Sequence, residues 1–261
     1  MSRTMMAALL LCALTTTVRA GEGVEKPKTS AADEYKVLVE AGEEDGRSRA
    51  LAAKFITLAR EHRQDPIAVD SLIWVITNMR RGTEVSQAFE LLNTEHMRSD
   101  KLGDVCGRLV RRPSVEAESL LRTLLAKSPH KDVQAQACFH LAAYLKELRR
   151  LSESLKKEPR LKKRFEQFYG SDVTQQLASL DEGTTAAEIE RLYARVAKSF
   201  ADVPLDEGTM GAAAQKELFA IRHLSVGRWA PEITGKGIDG EEFKLSSYRG
   251  KVVVLDFWGH W

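Results

Sequence analysis

Apolar residues recur every three or four positions over residues 31–224, which is the spacing of amphipathic helices. The clearest stripe covers residues 186–200, where the apolar side chains share one helix face. Thr184 and Thr185, with Glu188 three positions after Thr185, predict a capping box at its start. Shorter stripes cover residues 51–59, 69–76, 85–92, 120–125 and 135–148. The pattern therefore predicts a run of helices without strands.

Prolines divide this run into short helices. Pro66, Pro113, Pro129 and Pro204 each stand where one helix should end and the next should begin. Residues 68–75 and 135–142 also carry similar apolar patterns at an offset of 67 residues, which is roughly twice a helical-hairpin repeat. We expect an irregular, solenoid-like stack of helical hairpins, with a compact helical bundle as the alternative.

The pattern changes near Val226, where glycines become frequent and the helical period ends. Residues 232–234 and 242–245 alternate polar with apolar side chains around Asp239-Gly240, which predicts a β-hairpin. The apolar run from Val252 to Leu255 predicts a strand that is buried on both faces of a sheet. We therefore expect a helical domain over residues 31–225 and a second unit over residues 226–261.

Composition excludes few functions. Of the 261 residues 43% are hydrophobic and 29% charged, and the net charge is +2, so no basic face for nucleic acid is expected. The most basic stretch, residues 149–164, contains acidic neighbours and Pro159, which favour a solvated and broken helix.

The first twenty residues have the features of a cleaved signal peptide. Arg3 precedes an apolar run over residues 5–14, and Val18-Arg19-Ala20 suits signal peptidase. A lipoprotein modified at Cys12 is the less favoured alternative. Residues 21–30 are predicted to be a flexible leader, and no integral membrane segment is expected after it. These features predict an exported protein, periplasmic or otherwise extracytoplasmic.

The remaining cysteines and the histidines suggest no reactive centre. Cys106 and Cys138 lie in different predicted helices, where they are expected to be small buried apolar residues, with a single disulfide as the alternative. The six histidines show no metal-ligand spacing. We therefore predict neither a metal site nor a cofactor.

The segment from Val226 onwards resembles the opening of the thioredoxin-like fold in exported thiol–disulfide reductases, the redoxin group related to alkyl hydroperoxide reductase and thiol-specific antioxidant proteins. The resemblance covers about 35 of the 261 residues. Its motifs occur in the family's order: Gly227 with Ala230-Pro231, the Asp239-Gly240 turn, Leu245-Ser246, Arg249-Gly250-Lys251, and Asp256-Phe257-Trp258 with Trp261.

The resemblance implies a fold and a set of roles. The fold would be mostly α, a helical-hairpin domain followed by the opening β-hairpin and first core strand of a truncated α/β thioredoxin-like domain. Asp256 matches the buried acid that handles a thiol proton, and desolvation should raise its pKa. Trp258 and Trp261 match an aromatic shelf below the active site. The family's attacking cysteine follows the position of Trp261, so this chain is expected to be inactive by itself.

Three functions are compatible with these observations. The favoured one is a thiol–disulfide oxidoreductase that acts on a disulfide-bearing protein or a thiol redox partner, with the helical domain for docking or assembly. A thiol peroxidase would share the same opening segment. The non-enzymatic alternative is a helical scaffold for a protein partner, in which Trp74 and Phe139 could line the binding surface, although their helical spacing favours a place in the core.

Overall fold

The computed structural model of the protein describes residues 30–44, 46–205, 207–256 and 258–259. The predicted signal peptide, most of the leader, Phe257, His260 and Trp261 lie outside the described residues. The described residues form eleven α-helices: α1 (Ala31–Glu44), α2 (Arg49–Glu61), α3 (Pro66–Asn78), α4 (Thr83–Thr94), α5 (Leu102–Leu109), α6 (Val115–Lys127), α7 (Lys131–Lys157), α8 (Lys162–Tyr169), α9 (Ser171–Ser179), α10 (Glu182–Ser199) and α11 (Met210–His223).

Two short strands follow the helices. They are β1 (Thr234–Lys236) and β2 (Glu242–Lys244), and a 3-10 helix over Leu245–Tyr248 comes directly after β2. The predicted fold class, mostly α with a small β part, is confirmed.

The helices begin and end largely where the prolines predict. Pro66 is the first residue of α3, and the Asp65 carboxylate accepts the Ile67 N–H at 2.8 Å. Pro113 and Pro129 fall in the connections before α6 and α7. A proline in the first turn or just before it loses no helical hydrogen bond, because the first amides of a helix have no partner within it.

The predicted capping box of α10 is wrong. The helix begins at Glu182, and its cap is Asp181, whose carboxylate accepts the Thr184 N–H at 2.6 Å. Thr184 and Thr185 therefore lie within the first turn. Aspartate is a strong N-cap residue, because its carboxylate accepts a first-turn N–H that has no partner within the helix.

The helical core is centred on α7. This 27-residue helix packs against α5, α6, α9 and α10, and α10 in turn packs against α11. The earlier helices pack mainly on sequence neighbours, α1 on α2, α2 on α3 and α3 on α4, as hairpins predict. One hydrophobic core runs from Leu51 in α2 to Leu218 in α11, so the second half resembles a bundle around α7 more than a regular stack.

The apolar run after the hairpin does not form the predicted strand. Residues 252–256 have no strand hydrogen bonding, and Val252 and Val254 are 96% and 86% exposed. The two-stranded sheet contains only β1 and β2. An extended segment becomes a buried strand only when neighbouring strands pair with its N–H and C=O groups, and no described residue does so.

Within the described residues, no helix is both long enough and apolar enough to cross a membrane. The basic stretch over residues 149–164 is broken as predicted, because α7 ends at Lys157 and a 3-10 turn begins at Pro159. Arg150 there pairs with Glu147 at 2.7 Å, and Arg160 pairs with Glu158 at 3.0 Å.

Candidate functional site

The β-hairpin that opens the tail is built by local turn chemistry. Thr234 lies opposite Lys244, and Lys236 lies opposite Glu242. Gly240 has φ +84°, a left-handed conformation that glycine adopts without strain. The Asp239 carboxylate accepts the Glu241 N–H at 3.1 Å and fixes the turn. The Asp-Gly prediction is therefore confirmed, with β1 starting two residues later than the alternating pattern suggested.

A glutamate closes the base of the hairpin. The Glu232 carboxylate accepts the backbone N–H of Ser246 at 2.9 Å, fourteen positions away in sequence. The Ser246 side chain, and after it this backbone N–H, hold the pKa of Glu232 below its ordinary value by hydrogen bonding to the carboxylate. The Leu245 N–H donates to the Ile233 carbonyl at 2.8 Å. Together these bonds join the start of the hairpin to the Leu245-Ser246 motif, a role for Glu232 that the sequence pattern did not reveal.

The link after the hairpin brings the motif residue Arg249 close to the start of the tail. The Arg249 guanidinium lies 6.0 Å from the ring centroid of Trp229, which directly precedes Ala230-Pro231. Gly250 follows with φ +81°, and the Lys251 N–H donates to the Tyr248 carbonyl at 3.0 Å. The first and the fourth motifs of the series thus lie close together beside the hairpin.

The predicted site residues at the end of the tail are not assembled into a buried site. Asp256 is exposed, whereas the predicted role requires a buried carboxylate. Trp258 is 78% exposed, and Trp261 lies outside the described residues. Asp256 and Trp258 are exposed for the same reason that the strand is missing, because both would be buried only by a sheet around them. The roles of Asp256, Trp258 and Trp261 stay predictions.

The two cysteines of the helical part are free and buried, as predicted. Cys106 lies in α5 and its thiol donates to the Leu102 carbonyl at 3.2 Å, while Cys138 lies in α7. Burial raises the pKa of Cys106 to about 12 and that of Cys138 to about 11. Both thiols are therefore protonated at neutral pH and are poor nucleophiles.

One group of possible metal ligands was missed by sequence spacing. Glu34 of α1, Glu61 of α2 and His62 each offer one ligand atom, and these atoms lie within 4.8 Å of one another. The sequence gives no signal for this group, because Glu34 is on a separate helix. Exposed carboxylates often lie together without a metal ion, and we assign none to this group.

The two aromatic residues considered for a scaffold surface pack against the core. The Trp74 ring stacks on Phe55 with centroids 4.1 Å apart, and the Phe139 ring meets Tyr193 edge to face at 5.5 Å. Both side chains are partly buried against the main hydrophobic cluster. This packing favours a structural role for both residues.

A short part of the chain is similar to thioredoxin-like thiol–disulfide oxidoreductases. It is 45% identical over 38 residues to the thiol-disulfide oxidoreductase ResA of Geobacillus thermodenitrificans (strain NG80-2). It is also 47% identical over 38 residues to the ResA of Geobacillus kaustophilus (strain HTA426). Each match covers 15% of this chain and 22% of the relative, so the chain spans less than a quarter of the curated relatives that it matches. No family model and no solved structure matches the chain.

Proposed function

We propose that residues 226–261 are the opening segment of an exported thioredoxin-like thiol–disulfide oxidoreductase, and that the helical part serves docking or assembly. The main support is the ordered motif series. Its first part folds into a hairpin whose base is closed by the hydrogen bond between the Ser246 N–H and the Glu232 carboxylate, here called the Glu232 clamp. The 38-residue similarity to the two ResA proteins has the length of this segment and supports the same proposal.

The exposed apolar side chains of the tail fit this proposal. Val252 and Val254 project into solvent together with Trp229, which is 84% exposed. Large apolar side chains left exposed in this number are typical of a segment that packs against further structure. In a thioredoxin-like sheet, neighbouring strands would cover the valines and also desolvate Asp256, giving it the proposed proton-handling role.

The cysteines of the helical part have no place in the proposed chemistry. Cys106 and Cys138 are buried and protonated, and they lie in helices away from the motif series. The attacking thiol would occupy the family's cysteine position after Trp261. Its partner would be a disulfide-bearing protein or a thiol redox protein.

A chimera tests the proposal. Residues 226–261 replace the matching stretch in the Geobacillus thermodenitrificans ResA, and insulin-disulfide reduction is compared with that of the unaltered relative. We expect a folded chimera that turns over within about tenfold of the parent, a loss of about 1.4 kcal/mol in transition-state stabilisation at most. A chimera that does not fold, or folds without activity, contradicts the proposal.

Two substitutions in the chimera test the role of Asp256. Asp256→Asn should slow turnover and alter its pH profile, because the amide cannot accept a thiol proton. Glu242→Gln, which makes the same change at an exposed position of β2, is the matched control. Equal rates and equal pH profiles for the two variants would remove Asp256 from the mechanism.

A further inference from the structure

A cavity of about 530 Å³ opens where three connections of the helical part meet. It lies between the α3–α4 connection, the α5–α6 connection and the junction of α8 with α9. Apolar side chains, among them Phe89 and Leu109, form part of its wall. The volume falls within the range of small-molecule sites.

Four arginines line this cavity without ion pairs. Arg80 and Arg81 come from the α3–α4 connection, and Arg111 and Arg112 come from the α5–α6 connection. None of the four forms a salt bridge with a described residue, although ten such bridges occur elsewhere in the described chain. The cavity thus collects positive charge that the protein does not pair.

The carboxylates in the same wall do not neutralise these arginines. The lining acids are Glu116, Glu166 and Asp172. Glu116 accepts a hydrogen bond from the Ser86 hydroxyl at 3.2 Å, and Asp172 accepts one from Ser171 at 3.1 Å. The Arg81 guanidinium donates to the backbone carbonyl of Glu166 at 3.2 Å and does not pair with its carboxylate.

Arg112 is the most constrained of the four. It is half-buried, and its Nη1 donates to the Met79 carbonyl at 3.0 Å. The other N–H groups of its guanidinium have no partner among the described residues. Burial, followed by the fields of Arg80 and Arg47, lowers the pKa of Arg112. Burying part of a guanidinium next to like charges costs free energy, and a bound anion would offset that cost.

Backbone amides add to the positive field. Helix α4 begins after Gly82 and α9 begins after Gly170, and neither helix has a side-chain cap. Gly82 and Gly170 both line the cavity. Uncapped first-turn N–H groups carry partial positive charge. Each of these first turns also holds a carboxylate, Glu84 in α4 and Asp172 in α9, so the arginines supply most of the positive charge of the cavity.

We propose that this arginine cavity binds a small molecule that bears a phosphate group together with an apolar portion. The guanidinium groups of Arg112 and Arg80 bind the phosphate oxygens in the planar, paired geometry that arginine favours. The wall formed by Phe89 and Leu109 receives the apolar portion. This site is independent of the proposed redox segment and belongs to the helical part.

Isothermal titration of the full chain tests the site, with inorganic phosphate and phenyl phosphate as probes. We expect saturable binding of both, with phenyl phosphate the tighter because its ring reaches the apolar wall. Arg112→Gln and Arg80→Gln should each weaken binding about tenfold, the effect of losing one charge-assisted hydrogen bond. Arg191→Gln, at an exposed position of α10 outside the cavity, makes the same charge change and should leave binding unaltered.

Each outcome decides the proposal. Absence of saturable binding, or equal weakening by Arg191→Gln, would overturn it and leave only general attraction to a positive surface. Equal affinity for the two probes would overturn the apolar part. Arg112→Gln could also disturb the fold, because Arg112 donates to the Met79 carbonyl. Arg80→Gln tests binding without this complication, because Arg80 makes no hydrogen bond with a described residue. Thermal unfolding of each variant is measured alongside.

Discussion

Tyr144 joins α7 to the start of α6, and replacing it with phenylalanine tests how firmly this part of the core is held. The side chain is fully buried. Its hydroxyl donates to the Ser114 carbonyl at 2.8 Å and accepts the Ser114 N–H at 3.1 Å. Ser114 is the N-cap of α6, and its own hydroxyl accepts the Ala117 N–H at 3.0 Å. One tyrosine thus fixes the backbone of a cap residue.

Tyr144→Phe removes both hydrogen bonds while keeping the ring and nearly all of its volume. Each bond contributes about 1 kcal/mol net, so the free energy of unfolding should fall by about 2 kcal/mol. For a chain of this size the melting temperature should fall by about 4–8 °C. The loss comes from the unpaired Ser114 groups, because the remaining phenyl ring fills the same space in the core.

Urea unfolding followed by far-UV circular dichroism measures this change. The matched control is Tyr248→Phe, which removes a hydroxyl from a ring that is 43% exposed. We expect the control to change stability by less than about 0.5 kcal/mol, as surface substitutions usually do. If the two variants unfold at the same urea concentration, the hydrogen bonds at Ser114 contribute nothing net and the reasoning is refuted.

Three further predictions concern charge, thiols and the tail. The hydrogen bond from Arg122 lowers the pKa of Glu188, so its stabilising effect is present above the unfolded pKa and is lost as pH falls through the folded one. Glu188→Gln should therefore flatten the loss of stability in acid, whereas exposed Glu43→Gln should not; equal acid slopes in urea titrations would contradict this. Cys106 and Cys138 should resist iodoacetamide in the native protein and react after unfolding, as peptide mass spectrometry would show; rapid native labelling would disprove their burial. A chain shortened to end at Ser225 should be more soluble than the full chain, because exposed apolar tail segments pair with other chains; equal solubility and equal protease resistance of the tail would count against it.

The helical part could be predicted from sequence where the signal is local. Pro66 marks the start of α3 because its fixed φ and missing N–H suit the first turn. The cap of α10 was misplaced by four residues, since Asp181 and Thr185 are both good caps and only the folded chain decides between them. The central place of α7 could not be predicted, because periodicity gives the buried face of a helix and not the helices that will cover it.

The arginine cavity shows the same limit for function. The sequence shows two adjacent arginine pairs, at residues 80–81 and 111–112, but nothing in it says that the two connections converge. That convergence depends on how α3, α4 and α6 pack. Two adjacent arginines in a connection between helices are usually solvated. Only the shared cavity makes these four arginines a candidate site.

The proposed function of the tail rests more on its sequence than on its geometry. Its hairpin forms from short-range bonds, the Asp239 turn and the Glu232 clamp, which require no other part of the fold. Its apolar run from Val252 to Leu255 has no such local solution, because a strand is stabilised only by strands beside it. The same dependence leaves Asp256 exposed. A motif series can thus suggest a chemistry for a segment, while the burial that the proposed role of Asp256 requires has to come from a surrounding sheet.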